Sequence, residues 1–311
     1  MVVGLAAIAD ERVARLAMVL TLEPGLQVRG YSGFWERLSE LGWIKGKNLL
    51  VYEVSAKGQS DRFATLMNDA LSKNVDIIVT GSTPGALAAK RATSTVPIVV
   101  MSMGDPVGAG LVSSLAKPGG NLTGMSIQAT DGLPGKWLEL MQEAFPKLSG
   151  VVVIANPTNP LAQIQWNWLQ QAASALRLKL TLLAVKNPED LAPALKQARG
   201  LGYAALVLTD PMTFENRRAI AREAVKFRVP TMYTMLEFAD DGGLLAHGVD
   251  HTPLARRSAE YVDKILRGSN PGDLPIEQPG EFKLVINLKA AQAIGVSIPE
   301  ALRLRADEVI R

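Results

Sequence analysis

Residues 75–92 read Val75-Asp76-Ile77-Ile78-Val79-Thr80-Gly81-Ser82-Thr83-Pro84-Gly85-Ala86-Leu87-Ala88-Ala89-Lys90-Arg91-Ala92. The run 75–80 is short, apolar and rich in β-branched residues, as a strand buried on both faces should be. Gly81 permits a tight turn. Ser82 and Thr83 supply capping hydroxyls, and Pro84 suits the first turn of a helix over 84–92. Strand, short loop and helix in that order make the repeating unit of a parallel sheet.

The same unit recurs on both sides. Upstream, 13–20 reads as a strand, 31–41 as a helix stopped by Gly42, and 48–54 as a second strand. A helix follows from Ser60, with Phe63, Leu66, Met67 and Leu71 as its apolar stripe. Downstream, 97–101 reads as a strand and 111–115 as a short helix, before the turn Pro118-Gly119-Gly120-Asn121. The alternation then restarts. Strands are expected at 150–155, 179–185, 204–208, 231–233, from 244, and at 282–287. Helices are expected at 137–144, 161–176, 191–199, 215–227 and 253–266. Two successive sets predict an α/β protein of two doubly wound parallel-sheet lobes, and 311 residues suit two cores of ordinary size.

Composition narrows the chemistry. The chain has no cysteine, which removes disulfides, thiolate catalysis and Cys-ligated metals. With two histidines, His247 and His251, a His-rich zinc site is not expected. The net charge is +3 with both signs interleaved, which gives no nucleic-acid footprint. The loop after the first strand, Thr21-Leu22-Glu23-Pro24-Gly25, lacks the glycine pattern of dinucleotide sites, and no Walker A motif occurs. No cofactor is expected. The N-terminal run over 1–9 is apolar and ends in Ala7-Ile8-Ala9, which reads either as the end of an export signal or as an apolar tail over 1–12.

Ligands of open α/β sheets sit beyond the carboxyl ends of the strands. On the first set of strands those ends carry Leu22, then Ser82 and Thr83, then Ser102, Met103 and Asp105. Hydroxyls and free amides at a helix start make a cradle for a carboxylate, or else a plain helix cap. Asp105 accepts from an ammonium or caps the following turn. On the second set the ends carry Asn156 and Asn159 in a proline-bracketed loop, then Asp210, Tyr233 and Glu237. Asp210 and Glu237 on one rim suit a ligand cation, or are solvated loop acids. The acids come with no His base, nucleophile elbow or metal cluster, which argues against hydrolysis.

The chain resembles the ABC-transporter substrate-binding protein family that includes the tryptophan- and tyrosine-binding importer subunits, with the type 1 periplasmic-binding fold. The resemblance runs from about Val13 to Arg311. It is carried by Glu40-Leu41-Gly42-Trp43 with Gly46-Lys47-Asn48, by Thr80-Gly81-Ser82-Thr83-Pro84, and by Thr95-Val96-Pro97-Ile98-Val99. Gly104-Asp105-Pro106-Val107-Gly108, Asn121-Leu122-Thr123-Gly124 and Tyr261-Val262-Asp263-Lys264-Ile265-Leu266 continue it. Leu284-Val285-Ile286-Asn287-Leu288-Lys289 and Leu304-Arg305-Ala306-Asp307-Glu308 complete it.

The resemblance implies a non-enzymatic, exported, periplasmic protein that is a monomer, carries an amino acid or similar small carboxylate, and delivers it to a membrane permease. It implies three crossings between the lobes, near 121–124, 246–250 and 282–287. Lobe one would then comprise 13–122 with 250–281, and lobe two 123–249 with 282–311. It implies Ser82, Thr83 and Ser102 for the ligand carboxylate, and Asp210 and Glu237 for its ammonium. At the first loop, where the family carries small residues, this chain has the bulkier Thr21-Leu22-Glu23-Pro24, which argues against a standard aromatic-ligand pocket. A regulator on this fold would need a helix-turn-helix ahead of the first strand, where too few residues stand for that motif. A transferase on two such lobes would show metal or nucleotide dependence.

Overall fold

The computed structural model describes residues 13–23, 29–127 and 132–311. The N-terminal run with its Ala7-Ile8-Ala9 site lies outside the described residues, as do Pro24 and Gly25.

The first part of the chain alternates β1 (Ala14–Leu20), α1 (Tyr31–Glu40), β2 (Leu49–Ser55), α2 (Phe63–Ser72), β3 (Ile77–Thr80), α3 (Thr83–Ala92), β4 (Ile98–Met103) and β5 (Leu122–Ser126). The strands form one parallel sheet in the order β2-β1-β3-β4-β5. Successive residues of a strand point to opposite faces. Leu16, Met18, Ile77 and Val79 therefore pack on one side with Phe34 and Leu38 of α1. Ala17, Val19, Ile78 and Val100 pack on the other with Phe63 and Met67 of α2 and Ala86 of α3. Strands with helices on both faces must be apolar throughout, which is how β3 reads in sequence. Full burial of one side chain such as Phe34 contributes about 1.5–3 kcal/mol before entropy is counted.

The second part runs α4 (Leu133–Ala144), β6 (Gly150–Ala155), α5 (Pro160–Leu176), β7 (Lys179–Ala184), α6 (Leu191–Leu201) and β8 (Ala204–Val207). It continues with α7 (Pro211–Glu215), α8 (Arg217–Phe227), β9 (Thr231–Tyr233), α9 (Glu237–Asp240) and β10 (Leu245–Val249). After α10 (His251–Leu266) come β11 (Phe282–Asn287), α11 (Leu288–Ile294), α12 (Glu300–Arg305) and β12 (Glu308–Ile310). The second sheet has the order β12-β11-β10-β9-β8-β6-β7, with only the β10–β11 pair antiparallel. Val151 and Val153 face Trp137, Leu138 and Leu169, whereas Val152 and Ile154 face Leu195, Ile220 and Phe238.

Helix α10 follows a strand of the second sheet but belongs with the first. Its Tyr261 and Val262 join the core around Leu16 and Phe34. Glu260 accepts from the Arg37 guanidinium at 2.9 Å, and Asp263 from the indole of Trp43 at 2.8 Å. The chain thus passes between the sheets three times: after Ser126, between Val249 and His251, and ahead of Phe282. Residues 121–124, where a crossing was expected, fall largely in β5. Gly124 disguises this strand as a turn, but its role is steric. At φ 140°, a Cβ there would stand 2.1 Å from the Val100 carbonyl oxygen of β4. Residues 111–115 are irregular rather than a helix, and the expected helix over 215–227 is two, α7 and α8.

Candidate functional site

The carboxyl ends of the two sheets face each other, and a cavity of about 80 Å³ lies between them. Thr21, Leu22, Ser82, Thr83, Ser102 and Gly104 wall it from the first lobe. Asn159, Leu161, Thr209, Asp210, Pro211, Phe214 and Met235 wall it from the second. Ile127 and His251, next to the first and second crossings, complete it. A wider groove of about 980 Å³ opens outward, between Lys57, Pro84 and Arg91 on one side and Asn156, Lys186 and Met212 on the other.

The first-lobe rim is a hydroxyl cluster held by a strained backbone. Ser82 adopts φ 68° with ψ 154°, an extended positive-φ conformation that costs a non-glycine residue about 1–3 kcal/mol. That conformation lets its amide donate to the Ser102 carbonyl at 2.7 Å and its Oγ accept from the Gly85 amide at 3.3 Å as the cap of α3. Thr21 Oγ1 donates to Ser82 Oγ at 3.3 Å, and the Gly104 amide donates to Thr83 Oγ1 at 2.9 Å. The three strand ends are thereby locked to one another. The positive end of α3 lies among these hydroxyls, an arrangement that favours an anion. Among the described residues no lysine or arginine lines the cavity, so an anionic group there meets neutral donors.

Among the described residues, the second-lobe rim presents one carboxylate. Asp210 is 5% exposed, caps α7 by accepting from the Thr213 amide at 2.9 Å, and accepts from Asn156 Nδ2 at 2.5 Å. Burial pushes its carboxyl above the ordinary range, against the opposing pull of these hydrogen bonds. A cation beside it would restore the charged form. Apolar walls stand close by: Phe214 is set edge-on to Phe238 at 5.9 Å, with the Arg217 guanidinium stacked on it at 4.5 Å.

Of the residues singled out in sequence, Leu22, Ser82, Thr83, Ser102, Asn159 and Asp210 come together on the cavity wall. The others do not. Met103 is the last residue of β4 and fully buried in the core beside α3. Asp105 caps a turn, accepting from the amides of Val107 and Gly108. Asn156 supports Asp210 from the outer groove. Tyr233 is fully buried, stacked on Phe238 at 4.5 Å. Glu237 does not share a rim with Asp210, because α9 turns it inward. It is 4% exposed, its Oε1 accepts from the Arg29 amide of the first lobe at 2.8 Å, and the same oxygen lies 3.8 Å from His251 Nδ1. Sequence reasoning missed Thr209 and His251. Thr209 follows β8 directly and the strand-end rule reaches it. His251 opens a helix at a crossing, where no local pattern marks it.

Among the described residues, no group of three His, Asp or Glu side chains could hold a metal, and no helix is long and apolar enough to cross a membrane.

Two mostly parallel α/β lobes, three crossings and a cavity between opposed strand ends define a substrate-binding protein of the type 1 periplasmic-binding class. The chain belongs to the ABC transporter substrate binding protein family, whose model matches residues 17–310. It is a binding protein and not an enzyme. It is 27% identical over 279 residues to the tyrosine-binding protein of Clostridioides difficile, covering 89% of this chain and 80% of that one. A conserved domain protein of Vibrio cholerae has the same fold with a TM-score of 0.90 at 28% identity, covering 96% of this chain and 100% of that one. The ABC domain from Streptococcus pneumonia solved with L-Trp superposes with a TM-score of 0.87 at 24% identity, over 96% of this chain and 99% of that one, and shows the fold.

Proposed function

We propose that this protein is the extracytoplasmic, monomeric solute-binding subunit of an ABC importer, and that it carries an amino acid in the cavity between its lobes. The lobes comprise the two sheets with their helices, α10 joining the first. The observation that carries the reading is the polarity of the cavity. Neutral hydroxyl donors and a helix N-terminus stand on one lobe, and the buried Asp210 carboxylate stands on the other. A zwitterion fits that pair of rims. Its carboxylate meets Ser82, Thr83 and Ser102, and its ammonium meets Asp210. The relative named for tyrosine supports an amino acid as the class. A ligand that bridges both rims favours the form in which they meet, and the closed complex is what a membrane permease would receive.

Isothermal titration against amino acids, sugars and nucleotides tests this. An amino acid should bind in equimolar ratio, and small-angle scattering should show a smaller radius when it does. Saturable binding of a sugar or nucleotide alone would overturn the reading.

A further inference from the structure

His251 stands where two cavities meet. It lines the cavity between the rims and also a narrower one of about 30 Å³. Ile127, Leu161, Thr209 and Met235 are common to both walls, and Trp137 and Phe282 belong to the narrower one. A ligand whose charged groups occupy the rims would place its side chain past His251 toward this apolar recess.

His251 is 3% exposed, and neither ring nitrogen has a hydrogen-bond partner. A neutral imidazole carries one N–H donor and one lone pair, and burying both unpaired forfeits their hydration without return. The neighbouring hydroxyls of Thr209 and Thr234 bond to each other at 2.8 Å, and neither bonds to the imidazole. Glu237 fixes the sense of the ring. Its Oε1 is 3.8 Å from Nδ1, and Glu237 is not on the wall of either cavity. The Nδ1 edge thus turns toward the carboxyl oxygen, which favours the proton on Nδ1. Nε2, across the ring, keeps the lone pair.

Resting on the amino-acid reading, we infer that His251 Nε2 is a specificity-determining acceptor for a hydrogen-bond donor on the ligand side chain, a hydroxyl or a ring N–H. Ligands lacking that donor leave the imidazole unpaired in a closed cavity and are rejected. The recess supplies the apolar surroundings that make the omission costly.

Two isosteric pairs that differ by one hydroxyl serve as probes, tyrosine with phenylalanine and threonine with valine. In titrations of the full chain, the hydroxylated member of the pair that binds should be favoured by about tenfold or more. In His251→Phe the ratio should fall to about twofold or less, and His251→Gln, which keeps an acceptor, should retain part of the preference. Equal affinities within each pair for the wild type, or an unchanged ratio in His251→Phe, would overturn the role of His251 and leave the amino-acid reading standing. Failure of every amino acid to bind would overturn both. A readout on the unaltered protein guards against misfolded variants. With only two histidines in the chain, the nitrogen resonances of His251 can be resolved from those of His247. The hydroxylated probe should shift Nε2 and its isostere should not; equal shifts would overturn the inference.

Discussion

Asp250, on the second crossing, and Lys283, at the start of β11 just past the third, are joined by a 2.7 Å ion pair. Asp250 also caps α10, accepting from the Thr252 amide at 2.9 Å. Burial pushes the Asp250 carboxyl up, but the hydrogen bonds from Lys283 and Thr252 outweigh it and hold the carboxyl at about 2, below its ordinary 3.8. Because the folded value is the lower one, the stabilisation is present above the ordinary value. It is lost as pH falls through about 2. Lys283→Met should therefore lower the melting point at neutral pH, and the gap to the wild type should close as pH approaches 2. Both partners are partly exposed, so the pair is worth up to about 1 kcal/mol. Paired melting curves across pH check it, and a gap independent of pH would remove the pair as its cause.

Gly104 and Leu161 face each other across the cavity without room for one more carbon. A Cβ on Gly104 would lie 2.4 Å from Leu161 Cδ2. The two residues come from opposite lobes, so the crowding exists only while the rims meet. Gly104→Ala should weaken ligand affinity by about 1–3 kcal/mol, the usual cost of overpacking, and leave the melting point of the ligand-free protein nearly unchanged. Titration and melting of one variant together test this. Equal losses in both would place the strain in the fold rather than in closure.

The architecture is legible in sequence because buried parallel strands must be apolar on both faces, and β3, β6 and β8 read that way. The elements that escape notice do so for local reasons. β5 carries a glycine demanded by β4, and β12 is only three residues with an exposed start. For the site, residues adjoining strand ends, such as Ser82 and Asp210, are legible because the topology fixes where such ends point. Glu237 is not, since its direction depends on α9 and on Arg29, a partner 208 positions away. His251 is hidden for the same reason: it acts across a crossing, and no periodicity encodes that.

Asp210 offers a test of the ligand charge. Asn keeps the shape and remains a good helix cap. It gives up the bond from Asn156 Nδ2, so Asp210→Asn should fold with a modest loss of stability and lose amino-acid affinity by about 2–5 kcal/mol, the range for removing one partner of a buried charge pair. A des-amino analogue should lose far less. The pH dependence follows from the raised carboxyl of Asp210. With the folded value above 3.8, the stability it contributes is complete below 3.8 and is lost as pH rises through the folded value. A bound ammonium reverses the preference and expels the proton. In that window the binding enthalpy should vary with the ionisation heat of the buffer, and in Asp210→Asn it should not. Buffer-independent enthalpy in the wild type would mean that Asp210 does not meet the cation.

His247 is expected to set an acid limit on the fold. It lies on β10, 7% exposed, stacked on Phe282 at 6.0 Å, and its carbonyl accepts from the Trp137 indole. Burial pushes the imidazole down to about 4 from an ordinary 6.5, with the Lys136 charge adding and Asp307 opposing. The unfolded chain takes up the proton first as pH falls, so the native state is progressively disfavoured between 6.5 and about 4. At about 1.4 kcal/mol per unit of depression, the loss across this window is about 3 kcal/mol. His247→Leu removes the titration and keeps the backbone bond to Trp137. Its stability, measured by denaturant unfolding at intervals through the window, should be nearly flat where the wild type declines. The ligand readout through His251 should be unaffected, because His247 is on the wall of neither cavity. A decline equally steep in the variant would assign the acid sensitivity to other groups.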